Sequence, residues 1–290
     1  MNRSPRPSRF VCASLLLVLL SVPAGAKGDK TITWAESTVN WAESYGKGVK
    51  QAREEGKPIL LKFYANWCPH CTKMDEGTWQ DETIGELSEA FVAIRINGET
   101  GTVALKRYNL GSVPLTIVAE PHGAEVFRLE GQANAKKIAA FLKAYLANAE
   151  ELATSFAILR EEKTDAASHL ALGHFYQRVG LTKQAAARHQ AAMKSSEGSV
   201  WLEACAGAVT ALVREGQNKK ARKLVEKGLS QAGDAPPPAL LLAKGRVEAG
   251  QGKASEARGW FERVVNEHAG STEAKAAARA LRKLLSKKNS

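Results

Sequence analysis

Cysteine is nearly absent from this chain: there are four among 290 residues, at positions 12, 68, 71 and 205. So small a number excludes a scaffold stapled by several disulfides. A zinc knuckle needs a second ligand pair at suitable spacing, and Cys12 and Cys205 each stand alone. Covalent haem attachment needs a histidine directly after the second cysteine of a Cys-x-x-Cys run, where this chain has Thr72. The stretch from Phe10 to Leu20 is apolar but only eleven residues long, short of the ~20 that cross a bilayer as a helix. Basic stripes interleaved with aromatics do not occur, nor do nucleic-acid-binding motifs, which argues against a nucleic-acid partner.

What is present begins with an ordinary globular composition, 44% hydrophobic and 24% charged, in a chain long enough for two domains. The first 26 residues differ from the rest. Arg3, Arg6 and Arg9 form a basic start, the eleven-residue apolar stretch follows, and Ala24-Gly25-Ala26 has the small-x-small form of a cleavage site. Residues 1–26 are therefore expected to be a signal peptide cut near Ala26, with an uncleaved anchor as the alternative. The protein is expected to be periplasmic or otherwise exported, in a compartment where disulfides form and exchange. Cys12 precedes the apolar core, so it is no lipid acceptor and leaves with the signal. Cys205, in the alanine-rich run Glu203-Ala204-Cys205-Ala206-Gly207, reads as a small buried hydrophobe.

Cys68 and Cys71 sit where chemistry is expected. Pro58 to Tyr64 is rich in branched and aromatic residues and reads as a buried strand. The cysteines follow directly, and Thr72-Lys73-Met74 continues as a helix. A helix whose first turn carries a thiol offers it unpaired N–H groups and the positive end of the helix dipole. Pro69 suits that first turn, where its missing donor costs nothing, and His70 adds positive charge when protonated. Thiols so placed fall from a pKa of about 8.5 to roughly 3.5–7.5 and become nucleophiles at neutral pH. A structural disulfide is the plainer reading of the pair. A short loop after an apolar strand nevertheless has the exposure and strain of labile disulfides.

Trp67-Cys68-Pro69-His70-Cys71 after an apolar strand resembles the active site of the thioredoxin superfamily. Ser112-Val113-Pro114-Leu115-Thr116-Ile117-Val118 is similar to the segment that holds the family's cis-proline. The flank Lys73-Met74-Asp75-Glu76-Gly77-Thr78-Trp79 is closer to periplasmic domains of the disulfide-interchange type than to cytosolic thioredoxin. The resemblance implies catalytic Cys68 and Cys71 joined as a redox-active disulfide, His70 tuning Cys68, and Trp67 and Pro114 lining a substrate groove. It implies no metal and no organic cofactor. Two departures stand out. Lys62 occupies the place of the family's buried proton-shuttle carboxylate and is expected either to snorkel to water or to tune Cys68. The Pro-His dipeptide is similar to that of strongly oxidising enzymes, yet no large helical insert lies between Cys71 and Pro114, so the direction of electron flow stays open.

Hydrophobic pattern gives the order of elements without the motif. A polar lead-in spans 27–40, with a short strand near Thr31 to Trp34. Helices are expected at Trp41–Glu55, Asp81–Ala90 and Val103–Tyr108, and a strand at Phe91–Ile96. A hairpin pairs Leu115–Ala119 with Glu125–Leu129 across Pro121-His122-Gly123, and Asn134 caps a helix with Ile138, Phe141, Leu142 and Tyr145 on one face. Residues 41–148 are thus expected to be an α/β thioredoxin-like domain, followed by a helical linker at 149–165. From there the chain turns alanine-rich and loses all strand-like runs. Gly180, Gly216 and Gly252 are spaced 36 apart, and Ala185, Ala221 and Ala257 keep the frame. Leu172-Gly173, Tyr176 and Ala192 make the first unit similar to tetratricopeptide repeats. Residues 166–286 are expected to be an all-α solenoid of about three such repeats with a capping helix at Ser271–Leu285, an ordinary helical bundle being the alternative.

Charge divides at the same place. Residues 27–154 carry 15 basic and 17 acidic side chains, whereas 155–290 carry 23 basic and 13 acidic. A surface so basic suits an acidic peptide or protein, or anionic lipid, and equally serves solubility. The chain is expected to be an exported thiol–disulfide oxidoreductase whose partners are client proteins with thiols or disulfides and a redox partner protein. The rival expectation is a scaffold or assembly factor in which the thioredoxin-like domain only docks.

Overall fold

The computed structural model describes residues 37–42 and 44–288. The expected signal peptide with Cys12, and the expected strand near Thr31 to Trp34, lie outside the described residues. The fold is laid around β1 (Ile59–Tyr64), which pairs in parallel with β2 (Val92–Asn97) and antiparallel with β3 (Leu115–Ala119). β3 pairs antiparallel with β4 (Glu125–Glu130), giving a sheet of order β2-β1-β3-β4. The β3–β4 hairpin turns at Gly123, whose φ of 84° favours glycine.

Strand alternation sends side chains to two cores. Ile59, Leu61 and Phe63 face α1 (Tyr45–Glu55) and α4 (Thr102–Arg107), with Val49, Ala52 and Tyr108 packed on them. Leu60 faces the opposite side with Met74, Trp79, Ile84, Phe127 and Leu142, which come from α2 (Pro69–Glu76), the short 3-10 turn Thr78–Gln80, α3 (Glu82–Ser88), β4 and α5 (Ala135–Leu146). Caps fix the helix starts: Ser44, Asp81 and Asn134 accept from Lys47, Ile84 and Lys137 N–H, each contributing about 1 kcal/mol. The first helix starts at Tyr45 rather than Trp41. Ala42 instead bridges Ile94, donating to Ala93 O and accepting from Arg95 N–H, which holds it beside β2 as extended chain, and the helix begins only after the Ser44 cap.

The span 149–165 holds α6 (Ala149–Glu161) and the turn after it, and Leu152 and Phe156 of α6 are buried. They continue the α5-side core into α7 (Ala166–Arg178), where Phe127 meets Phe175 with ring centroids 5.5 Å apart. One apolar core therefore runs from the sheet into the helices. α7 pairs with α8 (Thr182–Lys194), α9 (Gly198–Arg214) with α10 (Asn218–Ala232), and α11 (Pro238–Gly250) with α12 (Ala254–Glu267); α13 (Thr272–Lys288) closes the run. Each pair turns at a glycine of positive φ, Gly180 at 79°, Gly216 at 73° and Gly252 at 79°. Ala185, Ala221 and Ala257 lie at the buried helix crossings that follow. Pro237 and Pro238 open α11, where a residue without N–H is tolerated. The described residues thus form an α/β domain followed by an all-α region of eight helices.

Candidate functional site

Cys68 caps α2: its backbone is extended, Pro69 follows at the first helical position, and Sγ accepts the Cys71 N–H at 3.2 Å. The geometry follows from the local sequence. β1 ends at Tyr64, the Cys68 N–H bonds Ala65 O at 3.1 Å, and the chain then enters the helix. Cys68 and Cys71 are joined as a disulfide with Cα atoms 5.3 Å apart. When the pair is reduced, the first-turn N–H groups and helix dipole favour negative charge at the Cys68 position.

Both cysteines are nearly enclosed, Cys68 3% and Cys71 2% exposed, and pack with Ala65, Tyr64 and Val113. Val113 precedes Pro114 through a cis peptide, and Pro114 is buried with its carbonyl bound by Gly131 N–H at 2.9 Å. Trp67 stands beside them 68% exposed, its Nε1 donating to Glu99 Oε1 at 3.1 Å. His70 is exposed and meets Gln132 Oε1 through Nδ1 at 2.9 Å. The structure therefore gathers Cys68, Cys71 and the Val113-Pro114 bend into one spot, with Trp67 and His70 at its solvent side.

Lys62 does not reach water. It is 4% exposed, in the body of β1, ion-paired with Asp75 of α2, and ringed by Trp41, Tyr64 and Trp79 with its Nζ 5.4 to 5.7 Å from their centroids. Snorkelling fails because Lys62 shares the Leu60 face of the strand, which α2 and the 3-10 turn cover. Burial pushes the Lys62 ammonium below its ordinary range and the Asp75 carboxyl above its own, each opposed by its partner. The strand position that carries an acid in the resembling family thus carries the base here, and the helix supplies the acid. Asp75 was legible only as the fourth residue past Cys71, a spacing that puts both on one helix face. Glu99 and Gln132 lie 32 and 62 residues from their partners and left no local signal.

Elsewhere, burial pushes the Cys205 thiol up to about 12, which leaves it protonated and unreactive at neutral pH. No group of acidic, histidine or cysteine side chains suited to a metal ion occurs among the described residues, nor a helix long and apolar enough to cross a membrane.

Residues 45–146 match the family model of a thioredoxin-like domain, so the segment that holds the cysteine pair is a thioredoxin-like domain. Among characterised proteins, the chain is 28% identical over 109 residues to the thiol:disulfide interchange protein DsbD of Ralstonia nicotianae, covering 36% of this chain and 18% of that one. It is 31% identical over 144 residues to the protein disulfide isomerase-like 2-2 of Oryza sativa subsp. japonica, covering 48% of this chain and 36% of that one. A solved thioredoxin from Thermus thermophilus aligns with a TM-score of 0.36 and 23% identity over 39% of this chain and 91% of that one. The chain spans well under two thirds of the length of the interchange and isomerase relatives.

Proposed function

We propose that the protein is an exported thiol–disulfide oxidoreductase that exchanges disulfides with client proteins through Cys68 and Cys71. The observation that carries this reading is the cysteine pair itself, bonded to each other at the first turn of α2 with Val113, the residue before cis Pro114, packed alongside. In the reducing direction the Cys68 thiolate attacks one sulfur of a client disulfide, forming a mixed disulfide and releasing the other client sulfur as thiolate. Cys71, deprotonated, then attacks Cys68 Sγ, frees the second client thiol and leaves Cys68–Cys71 oxidised, so two electrons pass to the client. The reverse sequence oxidises the client, and a redox partner protein restores the starting state. Trp67 and Pro114 line the groove, His70 tunes Cys68, and the dithiol needs no further cofactor.

The helical region, similar to tetratricopeptide repeats in its 36-residue glycine frame, serves as the partner dock. Enclosure of both cysteines, at 3% and 2% exposure, favours the rival scaffold reading. One assay separates the two. Insulin reduction with dithiothreitol is expected to be accelerated by the parent and not by Cys68→Ser, with Cys71→Ala trapping mixed disulfides in cells. A Cys68→Ser variant as active as the parent would overturn the enzymatic reading.

A further inference from the structure

At the far end of the sheet from the cysteines, the β3–β4 turn meets α6, α7 and α8 around a cavity of about 340 Å³. β3 leaves the Pro114 bend at Leu115 and reaches that turn at Glu120, about 17 Å further along the chain. One wall is apolar, built from Ala124, Phe156 and Leu159. The rest is basic. Arg107 closes α4, Arg160 belongs to α6, Lys163 to the turn after it and Arg188 to α8, so permanent cations from separate parts of the chain line one space.

Glu120 is the only carboxylate among the lining residues, and its oxygens are taken. Oε1 accepts the Ala124 N–H at 2.8 Å, and Oε2 meets Arg160 Nη1 at 3.3 Å and His122 Nδ1 at 3.2 Å. Asp165, which caps α7 by accepting the Ser168 N–H, does not line the cavity. Arg107, Lys163 and Arg188 make no ion pair among the described residues. The two arginines are nevertheless held in place by neutral groups. Arg107 donates through Nε to Gly123 O at 3.2 Å and through Nη2 to His122 O at 2.9 Å. Arg188 donates through Nη1 to His169 Nδ1 at 3.2 Å, with its guanidinium 5.7 Å from the Phe156 ring centroid. His169 Nε2 in turn donates to Lys163 O at 2.9 Å. An imidazole that accepts at one nitrogen and donates at the other is neutral, and burial pushes the His169 pKa down in keeping with that. Each guanidinium has five N–H donors, so both arginines keep several to offer.

Cations fixed by neutral partners and lacking a counter-charge make a preorganised anion site. Their arrangement selects among anions. A carboxylate offers two oxygens in one plane, whereas a phosphoryl group offers three that point apart, which suits donors entering from three elements. A single phosphate carries about −1.5 to −2 at neutral pH, short of the three uncompensated charges. The volume is that of a small-molecule pocket.

We infer that this cavity binds the diphosphate group of a small molecule, clamped by Arg107, Lys163 and Arg188 between the β3–β4 turn and the helices. No covalent bond is made or broken there, and the site is separate from the cysteine chemistry.

The test is isothermal titration of the full oxidised protein with inorganic pyrophosphate, against sulfate and citrate at constant ionic strength. Pyrophosphate is expected to bind at least about tenfold more tightly than either control. Arg188→Gln, and separately the double variant Arg107→Gln/Lys163→Gln, are expected to weaken it at least about tenfold. The double variant alters only exposed positions and stands in should Arg188→Gln fail to fold. Lys219→Ser/Lys220→Ser, which removes two charges outside the cavity, is expected to leave affinity within about twofold. No binding of pyrophosphate would overturn the proposal, as would equal binding of citrate. Equal losses from the lysine pair and the Arg107/Lys163 pair would also overturn it, since they would mean diffuse attraction. Phosphatidylglycerol vesicles separate a free ligand from a lipid headgroup: they are expected to sediment parent and variants alike. Sedimentation that is lost in the variants would assign the cations to a membrane surface and overturn the proposal. Insulin reduction is expected to be unchanged in all these variants, and pyrophosphate binding unchanged in Cys68→Ser, so failure of this site and failure of the redox reading are told apart.

Discussion

Lys62 of β1 and Asp75 of α2 form an ion pair inside the thioredoxin-like domain, with Asp75 four residues along the helix from Cys71. Removing one partner leaves the other charge buried and uncompensated. Lys62→Met alone or Asp75→Leu alone is therefore expected to cost about 3–5 kcal/mol, and the joint replacement much less than their sum. Urea unfolding of the four proteins closes the cycle. The pH dependence has a definite sign. Asp75, raised in the fold, holds its proton more tightly than the unfolded chain does, so its contribution favours folding in acid and is lost as pH rises through the raised value. Lys62, lowered in the fold, is penalised while charged, and the penalty is relieved only as pH rises past its lowered value. The stability of the double variant relative to the parent is accordingly expected to be most favourable near neutral pH and to decline toward acid. A difference flat from pH 3 to 8 would show that the carboxyl is not raised.

Trp67 is held at the surface by one hydrogen bond to Glu99 and covers little of the core. Trp67→Ala is expected to change unfolding free energy by no more than about 0.5 kcal/mol. Its expected effect is on exchange with a protein disulfide, slowed at least about tenfold, whereas a small aromatic disulfide reacts at the parental rate. Equal slowing with both substrates would place its action on the sulfur rather than on a groove.

His189 of α8 is fully enclosed, filling the space left by Gly173 of α7 and Gly207 of α9. Burial, with His174 adding to it, holds its pKa down to about 3. The unfolded chain takes up a proton near pH 6.5 that the folded chain refuses, so stability is present above that pH and falls as pH drops toward 3. The slope is about 1.4 kcal/mol per unit, or about 2 kcal/mol between pH 6.5 and 5. Replacing the imidazole by the non-titrating His189→Gln is expected to flatten that slope in urea titrations at the two pH values.

Glycines of the helical region do two different jobs. Gly180, Gly216 and Gly252 have open space where a Cβ would sit but a positive φ, so alanine there is expected to cost about 1–2 kcal/mol from backbone strain alone. Gly173 and Gly245 are ordinary helical residues on which a Cβ would come within 2.6 Å of His189 and 2.5 Å of Phe261. Alanine at these two is expected to cost about 1–3 kcal/mol by overpacking. The loss is expected to be partly restored at 245 by Phe261→Leu and not at 216 by any neighbour's truncation.

Much of this was readable in the residues because the signals were local. A continuous apolar run rich in branched and aromatic residues gave β1, Pro121-His122-Gly123 gave the hairpin, Asn134 and Asp81 marked their helices, and the 36-residue glycine frame gave the helix pairs. The cysteine pair was legible because strand, Pro69 and helix are contiguous. What escaped depended on distant parts meeting. Ala42 reads as helix by composition and is extended because Ala93 and Arg95 capture its backbone. Lys62 reads as a strand-end cation, and only the packing of α2 over β1 makes it interior. Arg214, Arg246 and Arg279 stand 32 and 33 residues apart, off the 36-residue glycine frame, and only the packing of α9, α11 and α13 brings them to one cavity.

Phe127 of the sheet and Phe175 of the first helix pair touch within one uninterrupted core. The thiol-bearing head is consequently not a bead on a string. A partner held by the helices would meet the sulfur pair at a fixed bearing and reach, so architecture as well as affinity would set which client is served. A flexible tether between the same two parts would keep the cysteine pair and the helices and lose that fixed bearing.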